Sequence, residues 1–435
     1  MGWINRLATR SNVGFAHGNT LAIGSRVTEI TRGVERTARE RVAVVAAGVI
    51  SPFGAGLETT LTALREARDC ISPVTRFPVE QCRCTTAGQV MDEWLSALSP
   101  NDRKARRLHR ASRMIISALA ELLDQAPDFR PELTVVGTTS GGMSFGEQYY
   151  RSLQRPTRRG AGTSAWIANY PPQKAAVDAL EACGLTTPCQ VIANACASGT
   201  NAIGHAFECI RSGRYDRILT GGYDAISELV FVGFDSLQAA TPEKCRPFDG
   251  ARSGLVLGEG AALLALENFA IAEARGAEIL AEISGYGIST DNHHLTQPHP
   301  SGIGPRQAME RALQSADLAP EAIDYINAHG TATPFNDAAE GRAIADLLGR
   351  APVSSTKGMM GHSLGAAGAI EAVLTILALR NGFLPANINF RASDPALDLD
   401  IVANKVRPAA PTAALSNSFG FGGTNASIVI QALAA

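Results

Sequence analysis

Residues 191–213 read VIANACASGTNAIGHAFECIRSG, and residues 366–382 read AAGAIEAVLTILALRNG. From position 197 the two share a frame: A-x-G, a helix's length without a break, then R-x-G at the same spacing. In the first, Ala202, Ile203, Ala206, Phe207 and Ile210 fall on one helical face, and Gly213 supplies a C-terminal stop. The second is apolar nearly all round, the mark of a helix buried on every side. Each follows an extended segment, CQVIANAC and APVSSTKGMM. This internal repeat predicts two related halves, with the centre of the molecule filled by one buried helix from each.

Strand-like runs surround these helices: RVAVVAAGVISPFG (41–54), LTVVGTT (133–139), RILTGGYD (217–224), AALLALE (261–267), ILAEISGYG (279–287), IDYINAHG (323–330) and ASIVIQA (426–432). They alternate with helical stretches such as 172–183 and 305–316, which predicts an α/β fold of largely parallel, mixed sheets with helices on their faces. The predicted organisation is an N-terminal extension over 1–40, a first half over 41–277 and a second half over 278–435. The extension carries Arg without a sustained apolar period or a signal-peptide core. Its basic start admits an organellar transit peptide, but a poorly ordered extension or an over-long start fits it better.

The composition, 45% hydrophobic and 18% charged with 42 glycines in 435 residues, is that of a soluble α/β enzyme. A net charge of −2 gives no global field for nucleic acid. The longest apolar run, GAIEAVLTILAL, falls short of a membrane span and contains Glu371. Eight cysteines without regular spacing in a chain this large suit reduced thiols and a cytoplasmic location. Cys82 and Cys84 are a lone C-x-C with no second pair, so no metal site is expected.

Cys196 stands where the apolar run stops and the helical pattern begins. A strand ending at Ala195 and a helix starting near Ser198 would set its sulfur at a helix N-terminus, where unpaired N–H groups favour thiolate. Ala195, Ala197 and Gly199 leave room for an acyl group. A thiolate nucleophile needs partners, and the second half offers His329 and His362, each in a Gly-rich turn after an extended segment. His362 precedes the second repeat helix at nearly the station Cys196 holds before the first, so the pseudo-symmetry would bring them together. Lys357 and Glu371 lie near enough in sequence to pair. In SNSFGFGGTNAS (416–427), glycines would let backbone N–H groups approach a ligand, with Phe421 as a movable cover. DNHHLTQPH (291–299) reads as a surface loop near the site, and DRKARRLHRASR (102–113) as a solvated helix or a dock for an acidic partner.

NACASGT, RPFDGARSGLVLGEGA, NAHGTATPFND, STKGMMGHSLGAAGAIE and NSFGFGGTN resemble motifs of the condensing enzymes of the thiolase superfamily. The similarity is greatest to the stand-alone β-ketoacyl-[acyl-carrier-protein] synthases of the type II elongating kind, over roughly residues 41–435. The resemblance implies a thiolase-like duplicated α-β-α-β-α layered fold with two pseudo-symmetric halves, and a decarboxylative Claisen condensation. It implies that Cys196 carries the acyl chain as a thioester, with the N–H groups of Cys196 and Phe421 as oxyanion hole. His329 and His362 would assist decarboxylation of malonyl-carrier, and Lys357 with Glu371 would hold His362. Phe421 would gate access, with Phe419, Thr331 and Thr333 in support. No metal or cofactor is implied, because 4'-phosphopantetheine arrives on the carrier. The implied partners are an acyl carrier protein and a second subunit, an identical one or a chain-length-factor-like homologue.

Two departures from the family pattern stand out. NDAAE (336–340) has Asn336 where the family pattern has Gly, but Asp337 and Glu340 remain, so a structural role there is kept. Ser140, in TTSGGM, stands where elongating members often carry a bulkier aliphatic residue lining the acyl tunnel, and it bears on the substrate. A type II polyketide or aryl-polyene ketosynthase is therefore the alternative to fatty acid elongation. A non-catalytic scaffold on the same fold is the alternative of another class. A degradative thiolase would need a second cysteine in a C-terminal C-x-G context, where this chain has NSFGFGG.

Overall fold

The computed structural model describes residues 40–95, 107–154 and 164–433. Residues 1–39 of the expected extension, and positions 102–106 of the basic run, lie outside them. Ten strands form one continuous path: β1 (Val42–Ser51), β2 (Leu133–Gly137), β3 (Cys189–Ile192), β4 (Arg217–Asp224), β5 (Gly260–Asn268), β6 (Ala281–Thr290), β7 (Tyr325–Asn327), β8 (Val353–Ser354), β9 (Ala413–Gly420) and β10 (Thr424–Gln431). Their spatial order is β8-β7-β9-β10-β6-β1-β5-β4-β2-β3, with a two-residue strand, Gly54–Ala55, folded back on β1. Outward from the centre, β1-β5-β4-β2-β3 is answered by β6-β10-β9-β7-β8, each strand matched by the one five later in the chain. The directions agree as well. β2 is parallel to β3 and β4, as β7 is to β8 and β9, while the other pairs are antiparallel. The halves join where Val42–Val44 pair with Ala281–Ile283.

β1, β2, β4 and β5 are buried on both faces and apolar nearly throughout, whereas β6 alternates buried residues with more exposed ones. In β5, Leu264 and Leu266 enter the central core, while Leu263 and Ala265 face the outer helices on the other side. β1 sends Val42, Val44, Ala47 and Val49 inward and Ala43, Val45, Ala46 and Ile50 outward; a bulge between Val44 and Ala46 resets the alternation. The outer layer of the first half is α1 (Arg110–Gln125) and α2 (Pro172–Ala182), and that of the second is α5 (Ile303–Ala316) and α6 (Pro334–Leu348). Between the sheet halves lie the two repeat helices, α3 (Ser198–Arg211) and α7 (Ala367–Asn381). This is the duplicated layered arrangement that the repeat and the resemblance imply.

Every residue of α7 from Ala367 to Leu379 is buried. Residues 364–381 are long and apolar enough to cross a membrane by composition, yet 89% of that window is packed inside the protein. The glycine-rich C-terminal run is less of a turn than its composition suggests. Its two ends are strands β9 and β10, and only Phe421, Gly422 and Gly423 between them turn. Gly422 and Gly423 have φ of 84° and 78°, a conformation that suits glycine.

The N-terminal turns of α3 and α7 cross in near backbone contact. A Cβ on Gly199 would lie 2.7 Å from Gly365 O, and one on Gly368 would lie 2.0 Å from Thr200 Oγ1. Gly199→Ala should therefore lower stability by about 1–3 kcal/mol, because backbone cannot step aside as a side-chain tip can. Gly233, on helix α4 (Glu228–Ser236), has nothing within 4 Å of the place a methyl group would take. Gly233→Ala should be neutral or stabilising by up to about 1 kcal/mol. Urea denaturation of both variants checks this; equal midpoints would mean that the helix crossing tolerates separation.

Candidate active site

Strand β3 ends at Ile192, three residues before the expected Ala195, because the chain must turn sharply before α3. Ala195 takes φ of 58°, a left-handed conformation unusual for a residue with a Cβ. Ser198 closes the turn: its Oγ accepts from Asn194 N at 3.0 Å and donates to Ala195 O at 2.5 Å. Cys196 is thereby held at the start of α3, buried, with its own backbone N–H and that of Phe421 directed at the sulfur. Burial pushes the thiol up to about 12, against the pull of Lys357 and of those two N–H groups. The resting group is thus the thiol, and the thiolate expected from the helix terminus alone is corrected: desolvation outweighs the terminus here.

His329 and His362 stand edge to face, ring centroids 5.2 Å apart at 84°, and Phe419 lies 5.9 Å from His329. Among the described residues, neither ring nitrogen of His362 and not Nδ1 of His329 has a hydrogen-bond partner, though all are buried. Burial, with the positive charge of Lys357, holds both imidazoles well below their usual range, so they are neutral at physiological pH. The His329 turn is fixed from behind by two acids. Glu340 accepts from His329 N and Gly330 N, each at 2.8 Å, and Asp337 accepts from Phe248 N at 2.7 Å and Ala332 N at 3.1 Å. Asn336 spans this pair, donating to Asp337 at 3.1 Å and Glu340 at 3.4 Å.

Lys357 and Glu371 form an ion pair with both side chains fully buried. Burial pushes the Glu371 carboxyl up while the Lys357 ammonium pulls it down. The ammonium is also the positive charge acting on Cys196 and both histidines.

One cavity of about 220 Å³ is lined by Cys196, His329, His362, Phe419, Phe421, Thr331 and Thr333. Gly420 presses its backbone on the nucleophile turn, where a Cβ would lie 3.1 Å from Cys196 N. Phe421 stacks on Phe234 at 5.5 Å and 20°. Asp291, Thr296, Gln297 and Pro298 also line the cavity, so the histidine-rich loop borders it as expected, with none of its three histidines in the lining.

Ser140 is not part of this lining. Its hydroxyl donates to Asp224 at 2.7 Å, in the turn after β2. The basic run is divided as well: Arg110 is held by Asp92 and by buried Glu259, so it is committed to the interior and unavailable as a dock. Asp224 is a residue that sequence reasoning misses, because a single acid at a strand end carries no pattern.

Residues 39–270 match the family model for the β-ketoacyl synthase N-terminal domain, and residues 280–391 that for its C-terminal domain. The chain is 37% identical over 414 residues to 3-oxoacyl-[acyl-carrier-protein] synthase 2 of Synechocystis sp., covering 90% of this chain and 98% of that protein. Among solved structures it resembles the ishigamide ketosynthase/chain length factor (33% identity, TM-score 0.84, 91% of this chain and all of that one). It also resembles a type II polyketide ketosynthase in complex with its acyl carrier protein, at 27% identity and a TM-score of 0.81 over 91% of this chain and all of that one. A thiol, two neutral imidazoles and paired backbone N–H groups on one cavity, in a chain matched across both halves, identify this protein as a member of the β-ketoacyl synthase family.

Proposed function

We propose that this chain condenses an acyl group carried on Cys196 with malonyl-[acyl-carrier-protein], giving 3-oxoacyl-[acyl-carrier-protein] and CO2 in fatty acid elongation. The observation that carries this reading is the convergence of Cys196, His329, His362 and the Phe421 N–H on one cavity. In the first step the Cys196 sulfur attacks the acyl thioester on the carrier's pantetheine arm. A C–S bond forms, the carrier's sulfur leaves, and it takes up the proton that Cys196 gives. The N–H groups of Cys196 and Phe421 bind the oxyanion of the tetrahedral intermediate.

In the second step malonyl-carrier loses CO2, and the electron pair left behind becomes an enolate. Neutral imidazole N–H groups of His329 and His362 stabilise it by hydrogen bonding, which a charged, already paired ring would not do as well. Their unpartnered buried nitrogens support this role, since such groups otherwise cost about 1–3 kcal/mol each. The enolate carbon attacks the Cys196 thioester, a C–C bond forms, and the Cys196 sulfur leaves and takes up a proton from solvent. Lys357, paired with Glu371, biases this buried space toward negative charge. Phe421 serves as the gate, and Thr331 and Thr333 flank the pantetheine path.

A second reading, the catalytic subunit of a type II polyketide or polyene pathway, is favoured by the likeness to ketosynthases solved with a chain length factor or a polyketide carrier. The proposed assembly is a homodimer in the cytoplasm, with such a heterodimer under the second reading. Fatty acyl carriers turned over in preference to polyketide extension, by a protein whose mass in solution is twice that of one chain, support the first reading.

Cys196→Ala should abolish condensation, and activity lost to iodoacetamide should track alkylation of Cys196. Peptide mapping that finds Cys196 alkylated with activity retained rejects the nucleophile. His329→Ala and His362→Ala should each spare acylation of Cys196 more than CO2 release from malonyl-carrier. Because burial holds both imidazoles neutral, CO2 release should show no acid limb centred near 6.5, the ordinary histidine value. A pH–rate profile with such a limb would mean that a protonated imidazole forms within the working range.

A further inference from the structure

We propose that Asp224 is a positioning residue for this condensation, its carboxylate tying the turn that backs Cys196 to the turn that carries His362. The inference rests on the assignment of Cys196 and His362 as reacting groups. Asp224 ends β4 and is fully buried. Its Oδ1 accepts from Thr138 Oγ1 and Ser140 N, both at 2.8 Å, and from Ser140 Oγ at 2.7 Å. Its Oδ2 accepts from Thr139 N at 2.8 Å and from Gly365 N at 2.6 Å.

These five donors come from two places that the chain keeps far apart. Thr138–Ser140 follow β2 in the first half, and Thr139 Oγ1 donates onward to Ala195 O at 3.1 Å, next to the nucleophile. Gly365 lies in the second half, three residues after His362. A Cβ on Gly365 would fall 2.5 Å from Thr139 N and 2.7 Å from Asp224 Oδ2, so the turns meet backbone on carboxylate. Five donors and no acceptor match an ionised carboxylate, which accepts only. Burial raises this carboxyl above its ordinary value, and the five hydrogen bonds, three from backbone N–H groups and two from hydroxyls, pull against that rise.

An anchor of this kind acts on the nucleophile in two opposite senses. It fixes the geometry of the two turns, and its negative charge raises the Cys196 thiol, against Lys357. Removing the charge should make the thiol more acidic while the reaction slows. A residue that merely supported folding would not separate these effects.

The test is Asp224→Asn in the full chain, read by the pH dependence of Cys196 alkylation with iodoacetamide and by steady-state condensation with carrier substrates. The alkylation midpoint should move to lower pH, and kcat should fall by roughly tenfold to a hundredfold with KM changed by less than about twofold. A kcat near wild type, or a fall in kcat with an unmoved alkylation midpoint, overturns the proposal. Thr139→Val keeps the charge and cuts only the hydroxyl link to Ala195. It should lower kcat by a smaller factor without moving the midpoint. Should Asp224→Asn fail to melt cooperatively, Thr139→Val decides, and wild-type kcat in that variant overturns the proposal. Wild-type protein that stays active with Cys196 alkylated would reject the nucleophile assignment itself, and the role of Asp224 with it.

Discussion

Where α3 crosses α7 there is no room for a methyl group, and the reactive groups are arranged around that crossing. Gly199 and Gly368 let the first turns of the two helices touch, which sets the distance between the segments that precede them. Cys196 precedes one helix and His362 the other, so a contact made for packing also brings a nucleophile within reach of its imidazoles. Helix packing distances are fixed by the residues at the contact, and glycines give the shortest. A bulkier crossing would push the two turns apart and with them the walls of the cavity. The hairpin between β9 and β10 completes the enclosure, its backbone lying against Cys196 through Gly420.

The electrostatic character of this space follows from its dryness. Lys357 and Glu371 neutralise each other in the interior, while both imidazoles and the thiol are held in their uncharged forms. In water such groups would share protons freely with solvent; here each charge must be made by the reaction itself. Donors that are already oriented need not reorganise when that charge develops, which is where a buried site gains over water. Glu340 and Asp337 serve the same end from behind. They accept the backbone N–H groups of the His329 turn and leave the ring nitrogens uncommitted.

Much of this was legible in the chain itself. The repeat 197–213 and 366–382 is two helices at the predicted positions, and runs such as RILTGGYD match a strand residue for residue, because apolar continuity is a strong signal for a doubly covered strand. The groups on the cavity were legible too, since small residues around a cysteine and glycines around histidines are costly unless something must come close. Other features depended on tertiary context. SNSFGFGGTNAS hides the end of β9 under polar and glycine residues, because β9 pairs inside the sheet and needs no apolar pattern to be held. The state of the Cys196 thiol could not be read from a helix start, since depth of burial decides it. Arg110 looked like one of several surface bases, and only the fold reveals buried Glu259 beneath it.

The matching of strands between the two halves has a temporal side. The ribosome makes the half that holds the thiol first, and both imidazoles come more than a hundred residues later. Until β6 docks along β1, α3 has no α7 to lie against, and Cys196 lacks the Phe421 N–H, the ammonium of Lys357 and both histidines. The thiol alone is therefore not a condensing site: the Phe421 N–H that helps bind its oxyanion and the groups that act on the second substrate all come from the later half of the chain.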